Sequence, residues 1–330
     1  AIPTAILGNT GPTVGALGLG CMGMSGMYGH AADEQESIRT VHASLDAGIT
    51  LLDTGDFYGY GHNEMLLGRA LRGRDRDDYQ ISVKFGALRD PGGAMLGFDG
   101  RPAAVGNFLG YSLARLGVDH VDVYRPARLD PNVPIEDTVG AIAEQVERGR
   151  VRHIGLSEVG PQTLRRAAAV HPISDLQIEY SVFSRGIEDG ILDTCRELGI
   201  GITAYGVLSR GLIGAPKQQH EPGNPHATWP RFQGDNLDHN LDLIARLEPI
   251  AARHGLTVAQ LAIAWVAAQG CDVVPLIGTT KVSRIQPAMD ALAATLTTDD
   301  LAAIDRVLPS GAAAGTRYPE ALMSGLDSER

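Results

Sequence analysis

The fold turns on Gly18-Leu-Gly-Cys-Met-Gly23, which continues as Met24-Ser-Gly-Met-Tyr-Gly-His30. The first six residues match G-x-G-x-x-G, the turn that opens a doubly wound dinucleotide-binding sheet. That architecture requires an apolar-periodic helix directly after the turn. Here a Gly- and Met-rich loop follows instead, so the glycine pattern alone does not argue for an open sheet. Further along, short apolar runs alternate with amphipathic stretches. Strands are expected at 15–23, 49–54, 79–86, 120–125, 151–158, 175–180, 200–206 and 272–278, with helical patterns between them such as 33–48, 135–149 and 187–199. Eight strands separated by helices imply a parallel sheet, and eight is the number that closes one. The expected fold is an α/β (β/α)8 TIM barrel forming a single domain over residues 1–330. Three segments lie outside the repeat. Residues 1–14 read as a hairpin turning at Gly8-Asn-Thr-Gly11 and plugging the barrel bottom. Residues 212–236 form a long Pro/Gly/His-rich loop after the seventh strand, and the tail at 309–330 has no periodicity.

The composition excludes several partners. With 44% hydrophobic and 20% charged residues the chain can build a substantial core, and its net charge of −11 lacks the basic footprint that nucleic acid or an anionic membrane requires. A phosphate-bearing ligand must therefore be held by local cations and backbone donors. Cys21, Cys195 and Cys271 are far apart and match no metal-ligand spacing, so reduced thiols are expected and no metal. No apolar run reaches the ~20 residues that span a bilayer, and the N-terminus has no basic-then-apolar signal pattern. A cytoplasmic protein is the expectation; monomer and homo-oligomer stay open.

Residues just past the C-terminal ends of barrel strands form the working face of such a fold. The second strand ends at Asp53 with Tyr58 five residues on, and the third ends at Lys84. A phenol of pKa about 10 is a poor acid, but a neighbouring ammonium favours its ionised form and a carboxylate can position that ammonium. Together they suit protonation of a carbonyl oxygen. An Asp–Lys ion pair beside a tyrosine that only packs is the plainer alternative, and these residues alone do not choose between them.

Six ordered segments narrow the choice: DTGDFYGYGHNEMLLGRAL, SVKFG, RGRVRHIGLSEV, LQIEYSVFSRGIE, ITAYGVLSRGLIG and VVPLIGTTKVSR. In order and spacing, from about residue 5 to 305, they resemble the motifs of the aldo-keto reductases. The early LGLGCMGMSGMYG resembles the branch with bacterial, fungal and plant members. The resemblance implies hydride transfer from NADPH to an aldehyde or ketone, with Tyr58 as general acid, Lys84 tuning it and Asp53 pairing with Lys84. It implies cofactor contacts from Cys21, Met22 and Asp53, with Ser157, Glu158 and Gln177 around the nicotinamide carboxamide and Tyr205 stacked on the ring. Gly206, Val207, Leu208, Ser209, Arg210 and Gly211 would lie over the pyrophosphate, Arg210 supplying a cation. Gly278, Thr279, Thr280, Lys281 and Arg284 open a helix after the eighth strand, where backbone N–H groups and two cations suit a 2′-phosphate. A small-molecule carbonyl substrate would meet Met24, Met27, Tyr28, Phe57, Phe85, Trp229, Phe232 and Tyr318, whose apolar walls suit a hydrophobic or aromatic compound.

Two positions depart from the family pattern. After Arg284, relatives carry Glu-Asn facing the adenine, whereas this chain has Gln286-Pro287-Ala288, and Gln286 is the nearest substitute. At the end of the fourth strand relatives present a catalytic His, whereas Tyr124-Arg-Pro-Ala-Arg128 puts Ala127 there. Side chains two apart share a strand face, so Arg125 is expected one layer below Ala127 and long enough to reach up into the vacated space. A purely structural ion pair for Arg125 is the alternative. The missing His also leaves a rival reading, a barrel that binds NADP(H) with little turnover and acts as a redox-responsive binding subunit. A barrel isomerase or lyase acting on sugar phosphates would leave the six segments unexplained.

Overall fold

The computed structural model describes residues 1–27, 32–215, 220 and 224–330. Its centre is a closed barrel of eight parallel strands: β3 (Gly18–Gly20), β4 (Leu51–Gly55), β5 (Gln80–Phe85), β8 (Val121–Pro126), β9 (Val151–Ser157), β10 (Ile173–Glu179), β11 (Gly201–Tyr205) and β12 (Val273–Gly278). Neighbours in space are neighbours in sequence, and β12 pairs with β3 to close the ring. All eight fall where the apolar runs place them, because strands covered on both faces read as near-continuous hydrophobic segments. The turn at 18–23 belongs to the barrel: β3 is its first three residues, and a short 3₁₀ turn at Met22–Ser25 follows.

Three of the described α-helices start at a side-chain cap, Asp33, Thr257 or Thr297. Asp33 accepts from the Glu36 N–H at the start of α1 (Glu34–Asp46), an N-cap contribution of about 1 kcal/mol. The expected hairpin forms from β1 (Thr4–Ile6) and β2 (Thr13–Gly15), and its Leu7 and Val14 pack against Leu51, Val274 and Leu276. Gly8 sits at φ 62° beside the starts of β10 and β11, where a Cβ would come within 2.5 Å of the Ser174 and Gly199 carbonyl oxygens. The hairpin thus lies at the N-terminal end of the barrel. A second hairpin, β6 (Ala87–Arg89) with β7 (Met95–Phe98), follows Lys84 and was not foreseen. No single helix among the described residues is long and apolar enough to cross a membrane.

The long loop and the tail pack on each other. Leu212, Trp229, Phe232, Tyr318 and Leu326 form a separate buried cluster. The tail is anchored where Asp327 Oδ2 accepts from Gly160 N (2.8 Å) and Thr163 Oγ1 (2.7 Å). Such contacts, more than 160 residues apart in sequence, leave no periodic trace.

Arg125 is the expected inward-facing residue one layer below Ala127. Its side chain does point inward, but it goes sideways into the barrel floor instead of upward. The guanidinium is fully buried, 2.9 Å from Asp175 Oδ2, and donates to Ser82 Oγ (3.0 Å) and the Leu156 carbonyl (3.0 Å). Asp175 is also held by Thr203 and Ser174. A buried guanidinium needs a counter-charge more than it needs to reach the mouth. Gly155 makes the room, since a Cβ there would sit 2.7 Å from Arg125 Cζ. Gly155→Ala is expected to destabilise by about 1–3 kcal/mol through overpacking, read as a lower denaturation midpoint with an unchanged slope.

Candidate active site

One layer above this floor, β4 and β5 pair with Asp53 opposite Ser82 and Gly55 opposite Lys84. The register brings the acid and the amine together: Lys84 Nζ lies 2.5 Å from Asp53 Oδ2. Asp53 Oδ1 accepts from Gln177 Nε2 (2.8 Å) and from Ser82 Oγ (3.3 Å). The Tyr58 ring lies against Gly55 at the end of β4, and the chain turns directly after it through left-handed φ at Gly59 (60°) and Tyr60 (55°). The Tyr58 ring lies edge-on to Phe57, its hydroxyl 3.1 Å from Lys84 Nζ. Asp53, Tyr58 and Lys84, spread over 31 residues, therefore meet in one buried cluster.

The electrostatics differ from the simple expectation. Burial and then the Asp53 charge raise the Tyr58 pKa well above its ordinary value, although the nearby Arg128 lowers it. Burial likewise pulls Lys84 down, opposed by Asp53. Lys84 spends its charge on Asp53, so the phenol keeps its proton at neutral pH. That is the state a proton donor requires.

Ala127 is buried, and its N–H donates to the Phe85 carbonyl. The residue that β8 delivers to the mouth is the next one. Arg128 Nη1 donates to the Ala127 carbonyl (2.7 Å) and to Ser157 Oγ (3.0 Å), while Nη2 reaches the hydroxyls of Tyr318 (3.3 Å) and Tyr205 (3.4 Å). Sequence reasoning passed over it because β8 ends at Pro126, and beyond a strand's end parity no longer says where a side chain points. The available signal was an arginine adjacent to Ala127, the position at which the family resemblance leads one to expect a His.

The other expected residues separate into groups. Ser157 and Gln177 face the site but are bonded to Arg128 and Asp53. Glu158, at φ 52°, is gripped by Arg317 from the tail (2.8 and 2.6 Å), and by Ser328 Oγ and the Tyr205 hydroxyl, both at 2.6 Å. Burial would raise its pKa, but the Arg317 charge and hydrogen bonds overcome that and bring it to about 2. Arg317 was also missed: its pairing with Glu158 crosses 159 residues. Tyr205 ends β11, and residues 206–211 turn away through positive φ at Gly206, Ser209, Arg210 and Gly211, with Val207 buried and Leu208 packed on the core. Arg210 is committed to Glu179 at 2.6 Å and stacks on Tyr318 and Trp229.

Several pocket residues are placed elsewhere. Met24 and Phe85 belong to the barrel core, Phe85 stacked on Tyr124 at 4.3 Å, because strand-end apolar side chains are claimed first by packing. Trp229 and Phe232 are buried in the loop–tail cluster with Tyr318, of which the hydroxyl reaches the site. Cys21 turns its thiol into the core, where burial raises its pKa. Met27 and Phe57 stay partly buried beside Arg89. Tyr28 lies outside the described residues. Met22 is in the 3₁₀ turn after β3.

At the far side, β12 ends at Gly278, Thr279 Oγ1 accepts from Lys281 N (3.1 Å), and a 3₁₀ turn at Val282–Arg284 leads into α9 (Ile285–Ala293). Lys281 and Arg284 are exposed and form no ion pair among the described residues, and a Cβ on Gly278 would meet open space. Thr280 lies against Gly23. These groups fit a phosphate. Gln286 donates to Asp290, one turn on, while Pro287 sits in the first turn of α9 and its carbonyl accepts from Gln260.

A closed parallel barrel with a phenol, an ammonium and a carboxylate gathered at the C-terminal ends of its strands defines the class, a (β/α)8-barrel oxidoreductase. The comparisons name the family. Residues 16–309 match the Aldo/keto reductase family, and the chain belongs to it. It is 44% identical to a probable aldo-keto reductase 1 of Glycine max, covering 97% of this chain and 92% of the relative. Its fold is similar to a glycerol dehydrogenase from Gluconobacter oxydans (TM-score 0.84, 28% identity, 92% and 94% of the two chains). It is also similar to an aldo-keto reductase from Klebsiella pneumoniae solved with NADPH (TM-score 0.75, 27% identity, 97% and 99%).

Proposed function

We propose that this protein reduces an aldehyde or ketone to the alcohol with NADPH as hydride donor. The observation that carries the reading is the Tyr58 hydroxyl at 3.1 Å from Lys84, itself held by Asp53 at 2.5 Å. NADPH supplies the hydride when bound. Tyr58 holds the proton for the developing alkoxide, Lys84 and Asp53 fix the phenol's place, and the burial of all three keeps water from them. Lys281 and Arg284 are the residues to hold a 2′-phosphate, with backbone donors at 278–281. The relative solved with NADPH supports that choice of cofactor.

The test follows loss of the reduced-nicotinamide absorbance with a panel of aromatic aldehydes, ketones and quinones. Tight NADPH binding without oxidation by any carbonyl would instead support the second reading, a binding barrel with little turnover. Ala127 just past the end of β8, a side chain with no group to polarise a carbonyl, is what favours that alternative. Replacing Lys281 and Arg284 together by Ala is expected to raise the Kd for NADPH about 10–100-fold and that for NADH hardly at all, since charge-assisted bonds to one phosphate are lost.

A further inference from the structure

We propose that Arg128 selects the substrate, and that the preferred substrate is a 2-oxo acid, a carbonyl compound whose carboxylate is adjacent to the reacting ketone. The proposal rests on the reductase reading above.

The charge at the barrel mouth is unevenly paired. Arg210 lies 2.6 Å from Glu179, Arg317 lies 2.6 Å from Glu158 and 2.8 Å from Glu329, and Arg231 lies 3.8 Å from Glu179. Arg128 differs. Its four hydrogen-bond partners are a carbonyl, a serine hydroxyl and two phenols, and among the described residues no carboxylate lies within ion-pair distance of it. Glu158 is the acid whose charge it feels, but two-point pairing gives that carboxylate to Arg317. The two phenol contacts are long, at 3.3 and 3.4 Å, and Nε has no protein acceptor among the described residues. A partly buried guanidinium held only by neutral oxygens is short of a counter-charge, which a bound anion would supply.

Its position says what that anion belongs to. Arg128 bonds to Ser157 and Tyr205 at the ends of β9 and β11; Ser157 is in register with Gln177, which donates to Asp53, and the Ala127 N–H beside Arg128 donates to the carbonyl of Phe85, next to Lys84. The guanidinium therefore borders the Asp53–Tyr58–Lys84 cluster at which a carbonyl oxygen would accept the Tyr58 proton. A planar guanidinium pairs with a planar carboxylate through two parallel bonds. In a 2-oxo acid the carboxylate is bonded directly to the carbonyl carbon, so one side chain beside Tyr58 can hold it without blocking the ketone. A neutral aldehyde leaves Arg128 unpaired. The chemistry balances: the ketone carbon accepts the hydride of NADPH, and the ketone oxygen takes the Tyr58 proton. Water then reprotonates the phenolate, and a 2-hydroxy acid leaves with NADP+. The carboxylate is unchanged.

The experiment compares phenylglyoxylate with its methyl ester, which has the same ketone and no charge. Wild type should favour the acid by at least about 10-fold in kcat/KM, the worth of a charge-assisted pair. Arg128→Gln should lower kcat/KM for the acid about 10–100-fold more than for the ester, chiefly through KM, so that the preference for the acid collapses. Arg128→Lys should recover part of the preference, since a point charge replaces the fork. The Kd for NADPH, followed by fluorescence, separates a loss of cofactor binding from a loss of the preference for the acid. Several results would overturn the proposal: a wild type that prefers the ester, a Gln variant that loses both substrates equally, or a shift in NADPH affinity that accounts for the loss. The wild-type ratio decides even if the Gln variant folds poorly. Activity on neutral carbonyls without preference for the acid would sink this inference and leave the reductase reading standing. Inactivity on every carbonyl would sink both.

Discussion

Tyr58→Phe is expected to lower kcat for carbonyl reduction by about 10²–10⁴-fold, the range for removing a positioned general acid. The Kd for NADPH should stay close to wild type. The substitution removes one oxygen. The phenyl ring can keep its edge contact with Phe57 and its place against Gly55, and Lys84 keeps Asp53. A folded, cofactor-binding and nearly inert variant would thus isolate the proton donor. The pH profile gives an independent check. Because burial and Asp53 raise the phenol's pKa, Tyr58 stays protonated at every pH below its ordinary value near 10. The rate should show no loss from Tyr58 ionisation over that interval, and a fall centred near pH 7 that disappears in Tyr58→Phe would contradict the assignment.

The second large effect is on stability. Arg125 and Asp175 are both fully buried and paired at 2.9 Å. Arg125→Met alone should cost about 3–5 kcal/mol, and so should Asp175→Leu alone, because each leaves an uncompensated charge inside the barrel. The double variant removes both charges and should recover most of that loss, as a denaturation series on all four proteins would show. The kcat of folded Arg125→Met should fall far less than that of Tyr58→Phe. If its activity vanished while its fold held, the floor assignment would be wrong and Arg125 would belong to the chemistry after all.

The barrel was legible for a local reason. Each strand is buried on both faces and so appears as an apolar run, and each run is followed by a helical pattern. The glycine match at 18–23 would have misled a reader of motifs; the lack of a periodic helix after it did not. The meeting of Asp53, Tyr58 and Lys84 was legible too, since strand ends in such a barrel converge. Their pKa directions were not: an ammonium beside a phenol suggests a lowered pKa, and only the depth of burial reverses it.

Arg125 and Arg128 mark the boundary between the two kinds of knowledge. From the sequence alone it followed that the fourth strand ends without a His and that arginines flank the gap. Which arginine serves the mouth was decided by partners 29 to 190 residues away: Asp175 and Ser82 draw Arg125 into the floor, while Ser157, Tyr205 and Tyr318 hold Arg128 above it. Strand periodicity is a property of consecutive residues and can be read along the chain. Charge pairing is a property of groups that meet only after the barrel closes, so it belongs to the tertiary structure.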